Sequence, residues 1–275
     1  MAAVTSWGEK LLKRPLVEIR RGFCLDFEAP TEKSAVIALS VPSGKFVDIR
    51  VPKEPALDST AVSVMPSAFE LGPNVYANAG TLTTVVPTSE GAFACPEASA
   101  CLAHSTWAHH IDSSGNPDTD GADMLLLANG EVLEVGVIDL GTGRGPRMFK
   151  ELWINENVDG LPYIVVEIMD STGSTIGNSD IQGRVVRIGP HCQAVLQTED
   201  RFWLDRWRLV GAWKRDPCSK SGRRVGTASL SAEDEATLQT GLALPCLWAC
   251  EDKVRQLGET ILVDGRTWTV TEIGP

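Results

Sequence analysis

No stretch of the chain approaches the ~18 to 20 uncharged apolar residues that a bilayer-spanning helix requires, so no membrane span is expected. The first residues, MAAVTSWGEKLLKRPLVEIRRG, lack the unbroken apolar core and small-residue cleavage site of a secretory signal, which argues against export. Seven cysteines (Cys24, Cys95, Cys101, Cys192, Cys218, Cys246 and Cys250) form an odd set without a CxxC pair. Neither a disulfide framework nor a common zinc knuckle is indicated, and the residues read as reduced thiols of a cytoplasmic protein. Basic residues are in deficit: 25 Lys and Arg stand against 36 Asp and Glu, a formal net charge of −11. That charge repels phosphate backbones and anionic lipid heads, so nucleic acid is not an expected partner. No G-x-S-x-G elbow, H-E-x-x-H helix or P-loop occurs. Covalent and metal mechanisms therefore have no sequence support, and neither a metal nor a cofactor is expected.

What is present is an ordinary globular composition, 43% hydrophobic and 22% charged over 275 residues, enough for one or two domains. Where a period is clear it is two. In RFWLDRWRLVGAWKRD, Trp203, Asp205, Trp207, Leu209 and Trp213 alternate with Arg206, Arg208 and Lys214, giving an aromatic face and a basic face expected to be solvated. TILVDGRTWTVTEI places two β-rich runs around Asp264-Gly265, the dipeptide that supplies positive φ angles to a two-residue hairpin. Further strands are expected over 44–51, 81–87, 105–111, 132–138, 149–154, 163–169 and 184–197. Two helices are expected, over 6–21 and 231–239, the second capped by Ser231 with acids in its first turn. The pattern predicts an all-β chain, an antiparallel sandwich or barrel with one or two short helices.

VGVIDLGTGRG (135–145) resembles the first motif of S-adenosylmethionine-dependent methyltransferases, and Glu167 and Asp170 lie near the offset of a ribose-binding acid. Such a domain must continue with a helix and then alternate strand and helix. The following residues are strand-like, so a glycine-rich turn between antiparallel strands is the preferred reading, with the methyltransferase as an outsider.

A wider constellation comprises GKFVDIRV (44–51), TWAHHIDS (106–113), NGEVLEVG (129–136), FKELW (149–153) and GRTWTVTEI (265–273). In order and approximate spacing this resembles a fungal family of calycin-type, lipocalin-like β-barrel proteins carrying Phe-Val-Asp-x-Arg, Trp-x-His-x-Ile-Asp-Ser and Leu-Glu-x-Gly motifs. The chain departs from that family over 53–103, where Tyr76-Ala77-Asn78-Ala79-Gly80 stands for a Trp-Ala-Phe-Ala-Gly segment, and after Ser113, where Asp118, Asp120 and Gly121 replace Asp-Glu-Gly. The resemblance implies one or two small antiparallel barrels: a calycin-like barrel over 1–160 with 53–103 as an inserted loop region, and a second barrel or completing half over 161–275. It also implies an apolar interior able to hold a lipophilic molecule.

Alternate residues of a barrel strand face inward. By parity Phe46, Asp48 and Arg50 share a face, as do Trp107, His109 and Ile111, then Val132 and Glu134, then Phe149, Glu151 and Trp153. Val47, Ile49 and Val51 form an equally apolar opposite face. Carboxylates among apolar neighbours must be paired, neutralised or shifted in pKa. A paired set is a structural network; a partly unpaired set with His109 is an acid–base device. The catalytic candidates are His109, Glu134, Glu151, Arg50 and Asp48, and the ligand-binding candidates Trp107, Phe46, Phe149, Trp153, Trp203 and Trp207. His110 and Asp112 are expected in solvent, and His104 and His191 without partners. The expected function is binding of a hydrophobic small molecule, with cofactor-free cyclisation, isomerisation or elimination as the catalytic version. A lipophile carrier and a module for a protein partner are the alternatives.

Overall fold

The computed structural model describes residues 14–53, 68–72, 74–86, 101–115, 119–139, 145–168, 181–217, 219–225 and 244–275. Eight strands follow one another around a closed antiparallel barrel: β1 (Leu16–Leu25), β2 (Ser34–Ser40), β3 (Lys45–Pro52), β4 (Tyr76–Val85), β5 (Cys101–Asp112), β6 (Thr119–Leu126), β7 (Val132–Ile138) and β8 (Arg147–Asn155), with β8 returning to β1. A second antiparallel sheet follows: β9 (Tyr163–Ile168), β10 (Gln182–Ile188), β11 (His191–Gln197), β12 (Arg201–Val210), β13 (Ala212–Arg215), β14 (Lys220–Arg223), β15 (Thr260–Val263) and β16 (Arg266–Gly274). Its order is β13-β12-β11-β10-β9-β16-β15, with β14 also on β12. Among the described residues one short helix, α1 (Cys246–Cys250), lies against it. The chain is all-β, as its alternation predicts. Among the described residues no helix is long and apolar enough to cross a membrane.

The largest apolar core lies between the two sheets, outside the barrel. Val47, Ile49 and Val51 point outward from β3 and are 0%, 0% and 6% exposed, packed with Val17, Leu39, Ala77 and Ala79 against Val165, Val186, Val195, Phe202 and Leu204. Both faces of β3 are therefore occupied, which is why its sequence shows no solvent face. Polar side chains of the second sheet reach across to barrel backbone. Arg206 donates to the carbonyls of Ile49 (2.5 Å) and Ala35 (3.3 Å), Gln193 to Ile37 (3.1 Å), and Arg184 to Phe46 (3.3 Å) and Gly80. Gly80 sits at a register shift between β4 and β5, where a Cβ would stand 1.8 Å from the Ala108 carbonyl oxygen; only glycine permits that approach.

Several expectations need correction. Residues 16–21 belong to strand β1, not a helix; Val17 and Ile19 alternate with Glu18 and Arg20, and pairing to β2 and β8 on both edges overrides local helix preference. Residues 6–13 and the helix expected over 231–239 lie outside the described residues. The segment 184–197 is a hairpin, with Ile188 opposite His191. Strands β2, β6 and β14 fall where the sequence predicts no strand. β7 and β8 pair directly and antiparallel, whereas a strand-to-helix crossover joins parallel strands, so the pairing speaks against the methyltransferase reading. The Asp264-Gly265 turn has φ of 49° and 71°, the signs a type I′ hairpin requires.

If the inter-sheet core carries the fold, Ile49→Ala will destabilise the protein by about 2–5 kcal/mol in denaturant unfolding, the scale for a fully buried aliphatic residue. A residue on the free outer wall of a solitary barrel would shift stability by no more than about 0.5 kcal/mol.

Candidate functional site

The barrel interior is divided into apolar ends and a polar middle. One end holds Val36, Ala103, Met124, Val132 and Trp153, the other Leu25, Ala122 and Phe149, and Trp107 touches both clusters. Between them lies a cavity of about 50 Å³, room for about three to five waters. Its lining mixes Phe46, Leu82, Trp107, Met124 and Trp153 with Glu18, Asp48, Arg50, His109, Asp120 and Glu134, together with Ser40 and Asn78.

Strand alternation puts Phe46, Asp48 and Arg50 of β3, Trp107 and His109 of β5, Glu134 of β7 and Trp153 of β8 on this lining. Phe149 is buried at the end of the barrel with Leu25 and Ala122. Ile111 turns the other way, into the inter-sheet core, because β5 shifts register against β4 before it. Trp203 and Trp207 are remote from this lining: they lie on the far face of the second sheet with Trp268, Cys192, Cys246 and Cys250. The alternation of β12 is real, but its two faces serve two different cores. Arg206, expected in solvent, is 4% exposed and bound to the barrel, whereas Arg208 and Lys214 are exposed.

The charged side chains fall into two groups. In the first, Glu151 Oε1 accepts from Arg20 Nη1 at 2.5 Å and from Arg50 Nη1 at 3.1 Å, Arg20 Nε donates to Glu32 at 2.7 Å, and Arg50 Nε to Asp48 Oδ2 at 2.7 Å. Burial acts to raise the Glu151 pKa, but Arg50 and Arg20 outweigh it and hold the group below its ordinary value. Glu151 is thus a buried clamp, and removing either arginine would leave it an uncompensated charge. In the second, His109 Nδ1 meets Asp112 Oδ2 at 3.0 Å, Tyr76 donates its hydroxyl to the same oxygen at 2.6 Å, and His109 Nε2 lies 3.6 Å from Asp120. Burial acts to lower the His109 pKa, yet the Asp112 hydrogen bond and the Asp120 and Asp112 charges leave it raised. His109 is therefore joined to Asp112 and Asp120, and Arg50 to Glu151.

Glu134 stands between these groups. It lies opposite Glu151 across β7 and β8, and its recorded partner is the Trp153 indole N–H at 2.8 Å. Burial, reinforced by the Glu151 charge, pushes its pKa well above the usual carboxylate range, with Arg50 opposing. The pKa values of two adjacent carboxyls are thereby driven apart, Glu134 upward and Glu151 downward, the pattern that separates an acid from a carboxylate in one site. Glu18 is likewise pushed up to about 7, first by burial and then by Asp48.

Glu18 and Arg20 belong to a segment whose sequence reads as helical, although their alternation with Val17 and Ile19 is a strand signal; Glu32 lies beyond that segment, where no element is expected. Asp112 is not solvated but 3% exposed. His191, read as unpartnered, is 3% exposed and joined to Glu156 at 2.8 Å; His104 meets Asp123 at 2.8 Å at the surface. His110 is half-buried, and burial together with Arg184 lowers its pKa. Glu167 binds Arg184 (2.7 Å) and Lys45 (2.7 Å), tying the sheets together. The Cys192, Cys246 and Cys250 thiols are buried; burial raises Cys192 and holds Cys246 at about 11, which leaves them inert as nucleophiles. Among the described residues no group of three or more His, Cys, Asp and Glu is placed to hold a metal.

Fold and interior together define an all-β protein with a closed antiparallel barrel, capable of ligand binding, backed by a second open sheet. The HRI1 family model, described as Protein HRI1, matches residues 16–272, and the chain belongs to that family. The crystal structure of the uncharacterized protein YLR301w from Saccharomyces cerevisiae is similar in fold, with a TM-score of 0.61 and 16% identity, covering 95% of this chain and 99% of that one. Comparison with curated proteins gives no match.

The raised acids carry a pH signature. Between about pH 4.5 and 7 Glu18 is protonated in the fold and ionised in the unfolded chain, so its contribution is full below 4.5 and lost as pH rises through 7. Glu18→Gln will stabilise the protein at pH 8 by about 1–3 kcal/mol in denaturant melts, and the gain will shrink toward pH 4.5. A gain independent of pH would contradict the assignment.

Proposed function

We propose that the β1–β8 barrel binds a small organic molecule in its central cavity and that its acids and His109 can move protons on that molecule. The observation that carries this reading is a cavity onto which a buried carboxyl whose pKa is pushed up, Glu134, and an imidazole oriented by a buried carboxylate, His109, both open. In the catalytic version Glu134 is the general acid and His109 the base or acid. Arg50 stabilises developing negative charge, and the chemistry is a cofactor-free cyclisation, isomerisation or elimination of specialised metabolism. Asp48 and Glu151 hold Arg50 in place. Phe46, Trp107 and Trp153 shape the wall.

The sequential, self-closing order of the barrel strands supports the calycin-type likeness, since lipocalins are up-and-down barrels of eight strands. The lining is more polar, and the hollow smaller, than a carrier of large lipophiles requires; drug-sized sites occupy about 300–1,000 Å³. A second reading follows from that small volume: the barrel is a scaffold filled by its own ion-paired side chains, and an outer surface meets a protein partner. The buried free thiols and the acidic net charge support a reducing, cytoplasmic setting without nucleic acid as a partner.

Native mass spectrometry of protein purified from its own host is expected to show a small-molecule adduct released on denaturation; protein without one, and unresponsive to a fragment library, favours the scaffold. With a turnover assay in hand, Glu134→Gln and His109→Ala will each lower the rate by about 100-fold or more while the fold persists. Turnover that survives both changes removes the catalytic version.

A further inference from the structure

The cavity lining has an imbalance of hydrogen-bonding groups as well as of charge. In and around the barrel interior seven carboxyls, Glu18, Glu32, Asp48, Asp112, Asp120, Glu134 and Glu151, face three cationic groups, Arg20, Arg50 and His109. Each cation is already engaged: Arg20 with Glu32 and Glu151, Arg50 with Asp48 and Glu151, His109 with Asp112 and Asp120. Among the side chains that line the cavity, the buried atoms without a partner are three oxygens, two that only accept and one hydroxyl that can accept or donate. Asp48 Oδ1, Asn78 Oδ1 and Ser40 Oγ are buried without a hydrogen bond, their residues are 5%, 2% and 4% exposed, and all three line the same cavity. β3 and β4 place Asp48 directly opposite Asn78, and Ser40 of the neighbouring β2 lines the cavity beside them. A buried polar atom without a partner costs about 1–3 kcal/mol, and three oxygens able to accept in one cavity point to a donor-rich occupant.

Resting on the small-molecule reading above, we propose that the barrel takes a small primary ammonium compound, its –NH₃⁺ group donating to Asp48, Asn78 and Ser40 and its short hydrocarbon part lying against Phe46, Leu82 and Trp107. An ammonium brings three donors and one positive charge, matching three free acceptors in an acid-rich interior. A neutral alcohol brings one donor, and a carboxylate brings none and meets like charge. The aromatic wall suits the same ligand, because ring faces attract cations and the alkyl stem gains by leaving water. A bare metal ion is a poorer match: two of the three free acceptors are neutral side-chain oxygens and half of the wall is apolar. The volume limits the molecule to a few non-hydrogen atoms.

The test is calorimetric titration of the full chain with n-butylamine, n-butanol and butyrate at pH 7. The expected result is amine binding at least tenfold tighter than the alcohol, with no detectable butyrate binding. Asp48→Asn will weaken the amine tenfold or more and leave the alcohol unchanged. Because Asp48 also holds Arg50, Asn78→Leu serves as the independent variant, with several-fold loss expected for the amine alone and a thermal melt confirming the fold. Alcohol binding as tight as the amine, or amine binding indifferent to both substitutions, overturns the ammonium assignment and leaves the small-molecule reading standing. Failure of every probe, with only water in the cavity, overturns both.

Discussion

Strands β1 to β4 are occupied on both faces, and this constraint organises the molecule. Their outward residues, Val17, Leu39, Val47, Ile49, Ala77 and Ala79, are the wall of the inter-sheet core. The dominant hydrophobic contribution therefore comes from the seam between barrel and sheet and not from the barrel's own centre. A barrel stabilised from outside is free to hold charge within.

That interior is organised around Glu151. One carboxylate oxygen gathers Arg20 from β1 and Arg50 from β3, linking three strands around the circumference. Pairs of this kind add little net stability once desolvation is counted, but losing one partner is costly, so they act chiefly on register and side-chain orientation. With Arg20 and Arg50 committed to Glu151, Glu134 across the ladder has no ion pair of its own among the described residues, and burial raises its pKa. The acid available for chemistry is thus a by-product of how its neighbour is paired. His109 is set in the same way by Asp112, a group that also accepts from Tyr76 and so holds the imidazole from a buried side.

Much of this was legible in the chain. The alternation of β3, β7, β8 and β12, the Asp264-Gly265 hairpin and the absence of strand–helix repetition all pointed to antiparallel β-structure. Parity correctly grouped Phe46 with Asp48 and Arg50, and Glu151 with Trp153. It failed in three physically distinct ways. β1 carries charges on its inward face and apolar residues outward, the reverse of a solitary soluble strand, so it resembled an amphipathic helix. Ile111 left its parity partners because the register shifts at Gly80, an irregularity that one strand's sequence does not display. Trp203 and Trp207 share the composition of a pocket wall but belong to another core, since composition does not say which of two sheets a face meets.

Residue order alone determined the fold class and, away from the irregularity beside Gly80, which side chains share a face of each strand, because an unbroken pleat has a period of two. Tertiary structure decided which face is inside and which acids are paired. It also decided that Asp48, Asn78 and Ser40 line one cavity with buried oxygens that have no hydrogen-bond partner among the described residues. Those outcomes depend on closure of β8 onto β1 and on a second sheet covering the outer wall, contacts between residues more than a hundred positions apart.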